Sequence, residues 1–437
     1  MRRVILALAI VLAAGGSVPE AAYAQISVPR VQLPRIPGGV NVPGVTGDLS
    51  NTVRELSSRT AEDVRRLKVR DLLRQHADVV ESDPRGAPIV RAELLAFSPS
   101  DGALAQAQAA GFQIVRTETL DGLGETVVVL RGPPGVTTQR ALVRLRQTDP
   151  QGSYDFNHLY LESGEPKMEA ASPARVVDVE HTARIPTRVG LIDSGVDVHH
   201  PVFEGSPVQL YGCGGVSIPS SHGTAVGSLM TGHATGFQGA APGAALYAAD
   251  VYCGLTTGGA VDAVVQAFAW FVKQKVPVIN VSLVGPPNVL LERVVKAVVA
   301  RGHLIVAAVG NDGPAAPPLY PAAYPGVIGV TAVDARQHAI PEAERGPQVK
   351  FAAPGADMAA ACPPRGYVTV RGTSFAAPIV AGLLALELGQ PDVGAAQQAV
   401  ADLAESAVDL GSKGPDKVYG NGLVGAELRP QPALAKQ

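Results

Sequence analysis

The sequence predicts an α/β protein whose main sheet is mostly parallel and follows a smaller α+β unit. From about residue 187 onward, short runs rich in Val, Ile and Ala alternate with stretches of helical period. Near-continuous apolar strands separated by helices are typical of a parallel sheet that helices cover on both faces. The predicted strands are Arg188 to Ile192, Ala244 to Tyr252, Val276 to Val281, His303 to Ala308 and Val327 to Ala332, with helices at Val261 to Lys275 and Val289 to Arg301.

The smaller unit covers residues 88–160, where the pattern reads β-α-β-β-α-β, the order of a ferredoxin-like fold. Its predicted elements are Pro88 to Ala96, Gly102 to Ala110, Phe112 to Thr117, Glu125 to Leu130, Gln139 to Leu145 and Tyr154 to Tyr160. Residues 25–87 precede it as a lead segment rich in Pro and Gly, then an amphipathic helix or helical pair. The polar stretch 161–184 is predicted to be an exposed linker.

The composition is that of a globular protein, with 46% hydrophobic residues, 17% charged residues and a formal net charge of −3 in 437 residues. Nucleic-acid-binding domains usually cluster Lys and Arg on one face. The sequence therefore predicts no nucleic-acid partner.

The N-terminus has the pattern of a Sec-type signal peptide over residues 1–24. Arg2 and Arg3 precede an apolar run from Val4 to Ala14, and Ala22-Tyr23-Ala24 supplies a small-x-small cleavage pattern. A bilayer span needs roughly 20 apolar residues, so this run is too short. We expect a secreted or periplasmic protein without a membrane span in the mature chain; a short anchor or a buried helix is the alternative.

Three cysteines leave room for one disulfide in an oxidising compartment. Cys213 and Cys253 are the favoured pair because both lie in segments that frame the early part of the α/β domain. That choice leaves Cys362 as a thiol, although the sequence alone does not fix the pairing. None of the three has metal-ligand spacing.

An acid, a histidine and a serine each stand where this fold would expose them. Asp193 ends an apolar strand, His222 precedes a small-residue helix, and Ser374 follows a tight glycine turn into another helix. Taken singly, these are consistent with a turn residue, a structural histidine and a helix cap. Together they fit nucleophilic catalysis, because a serine hydroxyl needs a base and the base needs a carboxylate to orient it.

These motifs resemble those of the subtilisin-like serine protease family (peptidase family S8). The matching residues are Asp193-Ser-Gly-Val, His222-Gly-Thr and Gly372-Thr-Ser374-x-Ala-x-Pro378, within a span of about 185–430. The resemblance implies a three-layer fold with a seven-stranded, mostly parallel sheet. It also implies a secreted serine endopeptidase in which Asp193 orients His222 and His222 acts as base and then acid. The sequence departs from the family at Ala225, where a second histidine is common.

Further roles follow from the same resemblance. Asn311 matches the family's oxyanion donor, with the backbone N–H of Ser374 as the second donor. An extended substrate would pair with the backbone of Ser282 to Gly285. That segment and Ala308 to Gly310 would form the walls of a side-chain pocket, with Leu319 near its floor. These substrate-binding residues are Ser282, Leu283, Val284, Gly285, Ala308, Val309, Gly310 and Leu319. Val284 and Leu319 predict a shallow pocket for small or medium apolar side chains, unless Leu319 turns into the core.

Residues 88–160 occupy the place of the family's propeptide, so the precursor is expected to be inhibited by its own N-terminal domain. Tyr154 to Tyr160 is the segment expected at the active site, with cleavage somewhere within 160–182. The resemblance requires no cofactor and allows a structural calcium ion, although no EF-hand-type acidic loop is present. The alternative functions are an acyl transferase or esterase on the same scaffold, and a non-catalytic binding protein.

Overall fold

The computed structural model describes residues 64–173 and 187–433. The predicted signal peptide, the predicted lead segment and the first part of the predicted amphipathic helix lie outside the described residues. All of the described residues belong to one compact unit.

Residues 64–173 form an α+β domain and one further strand. Its elements are α1 (residues 64–75), β1 (Val80–Ser82), β2 (Pro88–Phe97), α2 (Asp101–Ala109), β3 (Gln113–Leu120), β4 (Glu125–Arg131), α3 (Thr138–Thr148), β5 (Ser153–Glu162) and β6 (Glu165–Pro173). We call residues 64–162 the N-terminal unit. The sheet order β5-β2-β4-β3 is that of a ferredoxin-like fold.

Residues 187–433 contain the larger sheet and its covering helices. Its elements are β7 (Arg188–Asp193), β8 (Val208–Tyr211), α4 (Ser221–Thr231), β9 (His233–Ala234), β10 (Phe237–Gln238), β11 (Ala245–Asp250), β12 (Gly259–Ala260), α5 (Val261–Lys273), β13 (Val278–Val281), β14 (Leu283–Val284), α6 (Val289–Val299), β15 (Leu304–Ala308), β16 (Val327–Val333), β17 (Val349–Pro354), β18 (Ala356–Cys362), β19 (Gly366–Arg371), α7 (Thr373–Glu387), α8 (Val393–Ser406) and β20 (Pro432–Ala433).

Seven parallel strands run in the order β17-β16-β15-β13-β7-β11-β8, with helices on both faces. Successive side chains of a strand point to opposite faces, and β7 shows the result. Leu191 packs in the core that contains α4 and α7, whereas Ile192 packs in the core that contains α5 and α6. The predicted three-layer fold is confirmed, and each predicted strand is observed with shifts of a few residues at its ends.

The N-terminal sheet lies between two sets of helices. One face packs on its own α2 and α3 through residues such as Leu94 and Leu145. Leu95 and Val129 on the other face share a core with Phe268 of α5. The N-terminal unit is therefore docked on the α5–α6 surface by apolar burial, the dominant favourable term in association.

Two local findings bear on the expectations above. Residues 165–173, within the expected linker 161–184, form strand β6, which pairs with β19 and β20. Cys213 and Cys253 are joined in a disulfide with a Cα–Cα distance of 5.2 Å, and Cys362 is a buried free thiol. Among the described helices, none is long and apolar enough to cross a membrane.

Candidate active site

Asp193 and His222 meet at the carboxyl end of the parallel sheet. Asp193 is the last residue of β7, and His222 lies in the first turn of α4. Asp193 Oδ1 is 2.8 Å from His222 Nδ1, and both side chains are fully buried. The same Oδ1 accepts the backbone N–H of Ser194 at 2.7 Å. The contact between Asp193 Oδ1 and His222 Nδ1 fixes the imidazole ring so that Nε2, the nitrogen available for proton transfer, points away from the carboxylate.

Ser374 lies in the first turn of α7, directly after Gly372 and Thr373. Its hydroxyl is directed at two carbonyl oxygens, those of Ser163 and, at 3.1 Å, Ser282. Its backbone N–H donates to the Ser163 carbonyl oxygen over 3.2 Å. The His222 ring contacts the Phe375 ring with centroids 5.3 Å apart, and His222 Nε2 has no hydrogen-bond partner among the described residues.

Pro378 is the sixth residue of α7 and so lies beyond the first turn of that helix. Proline has no N–H to donate to the carbonyl four residues earlier, which here belongs to Ser374. That carbonyl accepts the Ser282 hydroxyl at 2.9 Å instead. The Ser282 hydroxyl therefore links the serine turn to the segment that follows β13.

Asn311 follows β15 and is held in a defined orientation. Its Oδ1 accepts the Thr373 N–H at 3.0 Å, so its Nδ2 points toward the serine turn, where it donates to Ser163 Oγ at 2.9 Å. Gly372 has a φ of 141°, and a Cβ there would lie 3.1 Å from Asn311 Nδ2 and 3.3 Å from the Ser163 oxygen. Only glycine fits this position without displacing either group.

A strand of the chain itself fills the cleft beside these groups. The end of β5 is bracketed by two short antiparallel partners, with Gly259 of β12 opposite Tyr160 and Leu283 of β14 opposite Glu162. The Ser163 N–H continues the ladder to the Ser282 carbonyl at 3.3 Å. This is β-augmentation, in which an extended peptide adds to exposed strand edges. Ser163 and Gly164 consequently lie across the Ser374 turn.

Charge near His222 favours its protonated form. Burial lowers the pKa of His222, but the carboxylates of Asp193 and Glu162 outweigh it and raise the pKa to about 9. Burial raises the pKa of Asp193, and the neighbouring imidazole opposes that rise. An ordinary histidine pKa is about 6.5, so the imidazole carries a proton well above neutral pH in this arrangement.

The segments predicted to bind substrate converge on the same cleft. Val284 is fully buried beside β5, and Ala308, Val309 and Gly310 lie at the end of β15. The Leu319 δ-methyl lies 2.8 Å from where a Gly310 Cβ would stand. Gly285 faces Tyr160, whose ring leaves no room for a side chain there.

Glu344 is a residue that the sequence analysis missed. It is fully buried behind Gly310, and its Oε2 accepts the Leu319 N–H at 3.2 Å. Burial raises the pKa of Glu344 to about 9, and nearby Asp312 acts in the same direction. The side chain is thus neutral at pH 7. No sequence signal marks it, because burial of a glutamate in a loop depends on contacts distant along the chain.

Among the described residues, two groups of at least three acidic, histidine or cysteine side chains come close enough to share a metal ion. One contains the disulfide-bonded Cys213 and Cys253, whose sulfurs are not free thiolates. The other is Glu162, Asp193 and His222. Neither is the oxygen-rich set that calcium prefers, so the calcium expectation stays a prediction.

The sequence of this chain is similar to those of known proteins. The model of the subtilase family matches residues 186–422, more than half of the chain. Subtilisin DY from Bacillus licheniformis is 32% identical over 259 residues, covering 56% of this chain and 90% of the relative. A subtilisin from Bacillus pumilus is 33% identical over 258 residues with the same coverage.

Two solved structures are similar. Fervidolysin from Fervidobacterium pennivorans, described as a keratinolytic enzyme related to subtilisin, superposes with a TM-score of 0.64 at 21% identity. The match covers 78% of this chain and 61% of fervidolysin, and at this identity it shows the fold alone. The prenylagaramide maturation protease PagA gives a TM-score of 0.50 at 27% identity, covering 57% of this chain and 95% of that protease.

Proposed function

The chain belongs to the subtilase family of serine endopeptidases, and from that premise we propose that it is a secreted precursor that cleaves its own Ser163–Gly164 bond. The observation that carries the proposal is the double contact between Ser374 and the Ser163 carbonyl, made by the hydroxyl and by the backbone N–H over 3.2 Å. A nucleophile and an oxyanion donor on one carbonyl group are what acyl transfer needs.

The residues have the following roles. His222 Nε2 takes the proton of the Ser374 hydroxyl as Ser374 Oγ attacks the Ser163 carbonyl carbon, while Asp193 holds the ring through the 2.8 Å contact. The oxyanion is stabilised by the Ser374 N–H and by Asn311 Nδ2, which is held nearby on Ser163 Oγ. His222 then protonates the leaving Gly164 nitrogen.

Water completes the reaction. It attacks the acyl-enzyme with His222 again as base, which releases the Ser163 carboxylate and restores Ser374. Side chains, backbone donors and water suffice for these steps, and the same steps apply to other peptide chains.

The bound strand also bears on specificity and inhibition. Ser163 is small, and Val284 and Leu319 narrow the pocket beside it, which supports a preference for small side chains before the cleaved bond. While β5 lies between β12 and β14, the cleft is occupied, so the N-terminal unit would act as the inhibitor. The Arg2–Arg3 start and the short apolar run support export.

N-terminal sequencing of the purified full-length chain tests this proposal. We expect wild type to yield a fragment that begins at Gly164, and Ser374→Ala to remain uncleaved. Ser412→Ala, at an exposed serine, is the matched control and should be cleaved like wild type. Cleavage of Ser374→Ala at the same rate as wild type would refute the proposal. A separate assay with casein distinguishes the enzyme classes, because an endopeptidase digests casein and an esterase or acyl transferase does not.

A further inference from the structure

The subsite next to the catalytic histidine contains an acidic side chain. Glu162, the residue before Ser163, places its Oε1 2.8 Å from the hydroxyl oxygen of Ser194. That hydroxyl lies 2.9 Å from the Ser220 hydroxyl and accepts the Gly223 N–H at 3.2 Å. Ser194 thus contacts the carboxylate directly, and Ser220 contacts Ser194 from behind.

Asp193 is the competing carboxylate near the Ser194 hydroxyl, and it already has other hydrogen-bond partners. Asp193 Oδ1 lies 3.1 Å from Ser194 Oγ, farther than Glu162 Oε1, and it receives the Ser194 N–H and faces His222 Nδ1. Glu162 Oε1 is therefore the better carboxylate acceptor for the Ser194 hydroxyl, and it is also nearer than the neutral Ser220 hydroxyl at 2.9 Å. Hydrogen bonds to charged groups are stronger than those between neutral groups.

We infer that this subsite selects substrates with an acidic side chain at the second position before the cleaved bond, with Ser194 as the donor that recognises it. The inference rests on the proposed function, since it treats the bound strand as a substrate. Lys68 of α1 lines the same cavity, of about 540 Å³. Lys68 belongs to the N-terminal unit, so recognition of other substrates by the peptidase domain falls to Ser194.

The Glu162 carboxylate should also change the pH dependence of catalysis. Glu162, Asp193 and His222 have ligand atoms within 4.8 Å of one another. A negative charge there stabilises the protonated imidazole, so a substrate with Glu at this position needs a higher pH before His222 is free to act as base. The pH profile therefore reports the carboxylate beside His222, whereas loss of discrimination in a Ser194 variant reports Ser194 as its hydrogen-bond donor.

Internally quenched peptides with the sequence of residues 159–168 test the inference, using the purified full-length chain after self-processing. One peptide keeps Glu162, one carries Glu162→Gln, and a control carries Glu165→Gln on the other side of the bond. We expect kcat/KM to fall roughly tenfold for Glu162→Gln, mainly through KM, and to change little for Glu165→Gln. The pH profile of kcat should lie at higher pH for the peptide that keeps Glu162 than for the peptide with Glu162→Gln.

Enzyme variants complete the test. Ser194→Ala should bring the ratio of kcat/KM between the two peptides close to one, whereas Ser217→Ala, whose hydroxyl bonds to Val196 instead, should keep it. Equal cleavage of both peptides by wild type would overturn the inference while leaving the proposed function intact. Failure to cleave any peptide or casein would instead overturn the proposed function.

Discussion

The backbone N–H of Ser374 donates to the carbonyl oxygen of Ser163 over 3.2 Å. The two residues are in contact because β5 runs between β12 and β14, which places residue 163 beside the first turn of α7. Helix α7 and the end of the N-terminal unit therefore form one site, and the predictions below depend on that relationship.

Removing the Asn311 amide should slow catalysis without weakening substrate binding. Asn311→Ala deletes an oxyanion donor that acts on charge developed in the transition state, so kcat should fall by about 10²–10³ with KM nearly unchanged. Steady-state kinetics on a peptide substrate measure both constants. A large rise in KM with unchanged kcat would show that Asn311 binds substrate and does not stabilise the transition state.

Self-cleavage should accelerate as the pH rises. The base must be neutral, and Asp193 and Glu162 raise the pKa of His222 to about 9, so the first-order rate should reach half its maximum near pH 9. Glu162→Gln removes one of the two carboxylates, which lowers this pKa and moves the profile to lower pH. Gel densitometry between pH 6 and pH 10 measures the rate, and coincident profiles of the two proteins would contradict the prediction.

A partly buried charged network should hold the N-terminal unit on α5. Arg116 donates to both oxygens of Glu93, at 2.8 and 2.9 Å, and its Nε donates to Asp262 Oδ2 at 3.2 Å. Asn157 Nδ2 donates to Asp262 Oδ1 at 3.1 Å. Asp262→Asn should raise the dissociation constant of the cleaved N-terminal fragment roughly 10- to 100-fold, because hydrogen bonds to a charged group are lost.

Lys273→Ala is the matched control for that experiment. Lys273 and Asp121 form a 2.9 Å pair across the same interface, but both side chains are more than half exposed. Exposed ion pairs contribute little, so this variant should change the dissociation constant no more than a fewfold. Analytical gel filtration at several concentrations gives both values, and equal effects of the two variants would contradict the role assigned to burial.

The disulfide should stabilise the peptidase domain. It links residues 40 apart in sequence, and a loop of that length predicts a loss of about 2–4 kcal/mol in the free energy of unfolding for Cys213→Ser/Cys253→Ser. Urea denaturation in the Ser374→Ala background avoids self-digestion. Adding reductant should lower the stability of the parent protein and leave the double variant unchanged; a parent protein insensitive to reductant would argue against the link.

The sequence predicted those parts of the site that local patterns determine. Asp193 and Asn311 could be placed because each follows a run of apolar residues that reads as a buried strand. Strand β8 (Val208–Tyr211) was missed because it is a four-residue edge strand with partly exposed side chains. Glu344 and the contact between Ser194 and Glu162 were missed because they depend on packing between segments distant along the chain.

The pairing of β6 with β19 has a consequence for the timing of activation. Residue 165 lies opposite Arg371 and residue 166 opposite Val370, so the chain downstream of Gly164 is also held by strand pairing, as the strand upstream is. Hydrolysis of one bond between two anchored strands leaves a nicked complex whose new ends stay in place. The lifetime of that complex, rather than the speed of bond breakage, would then set the delay before the cleft admits another polypeptide.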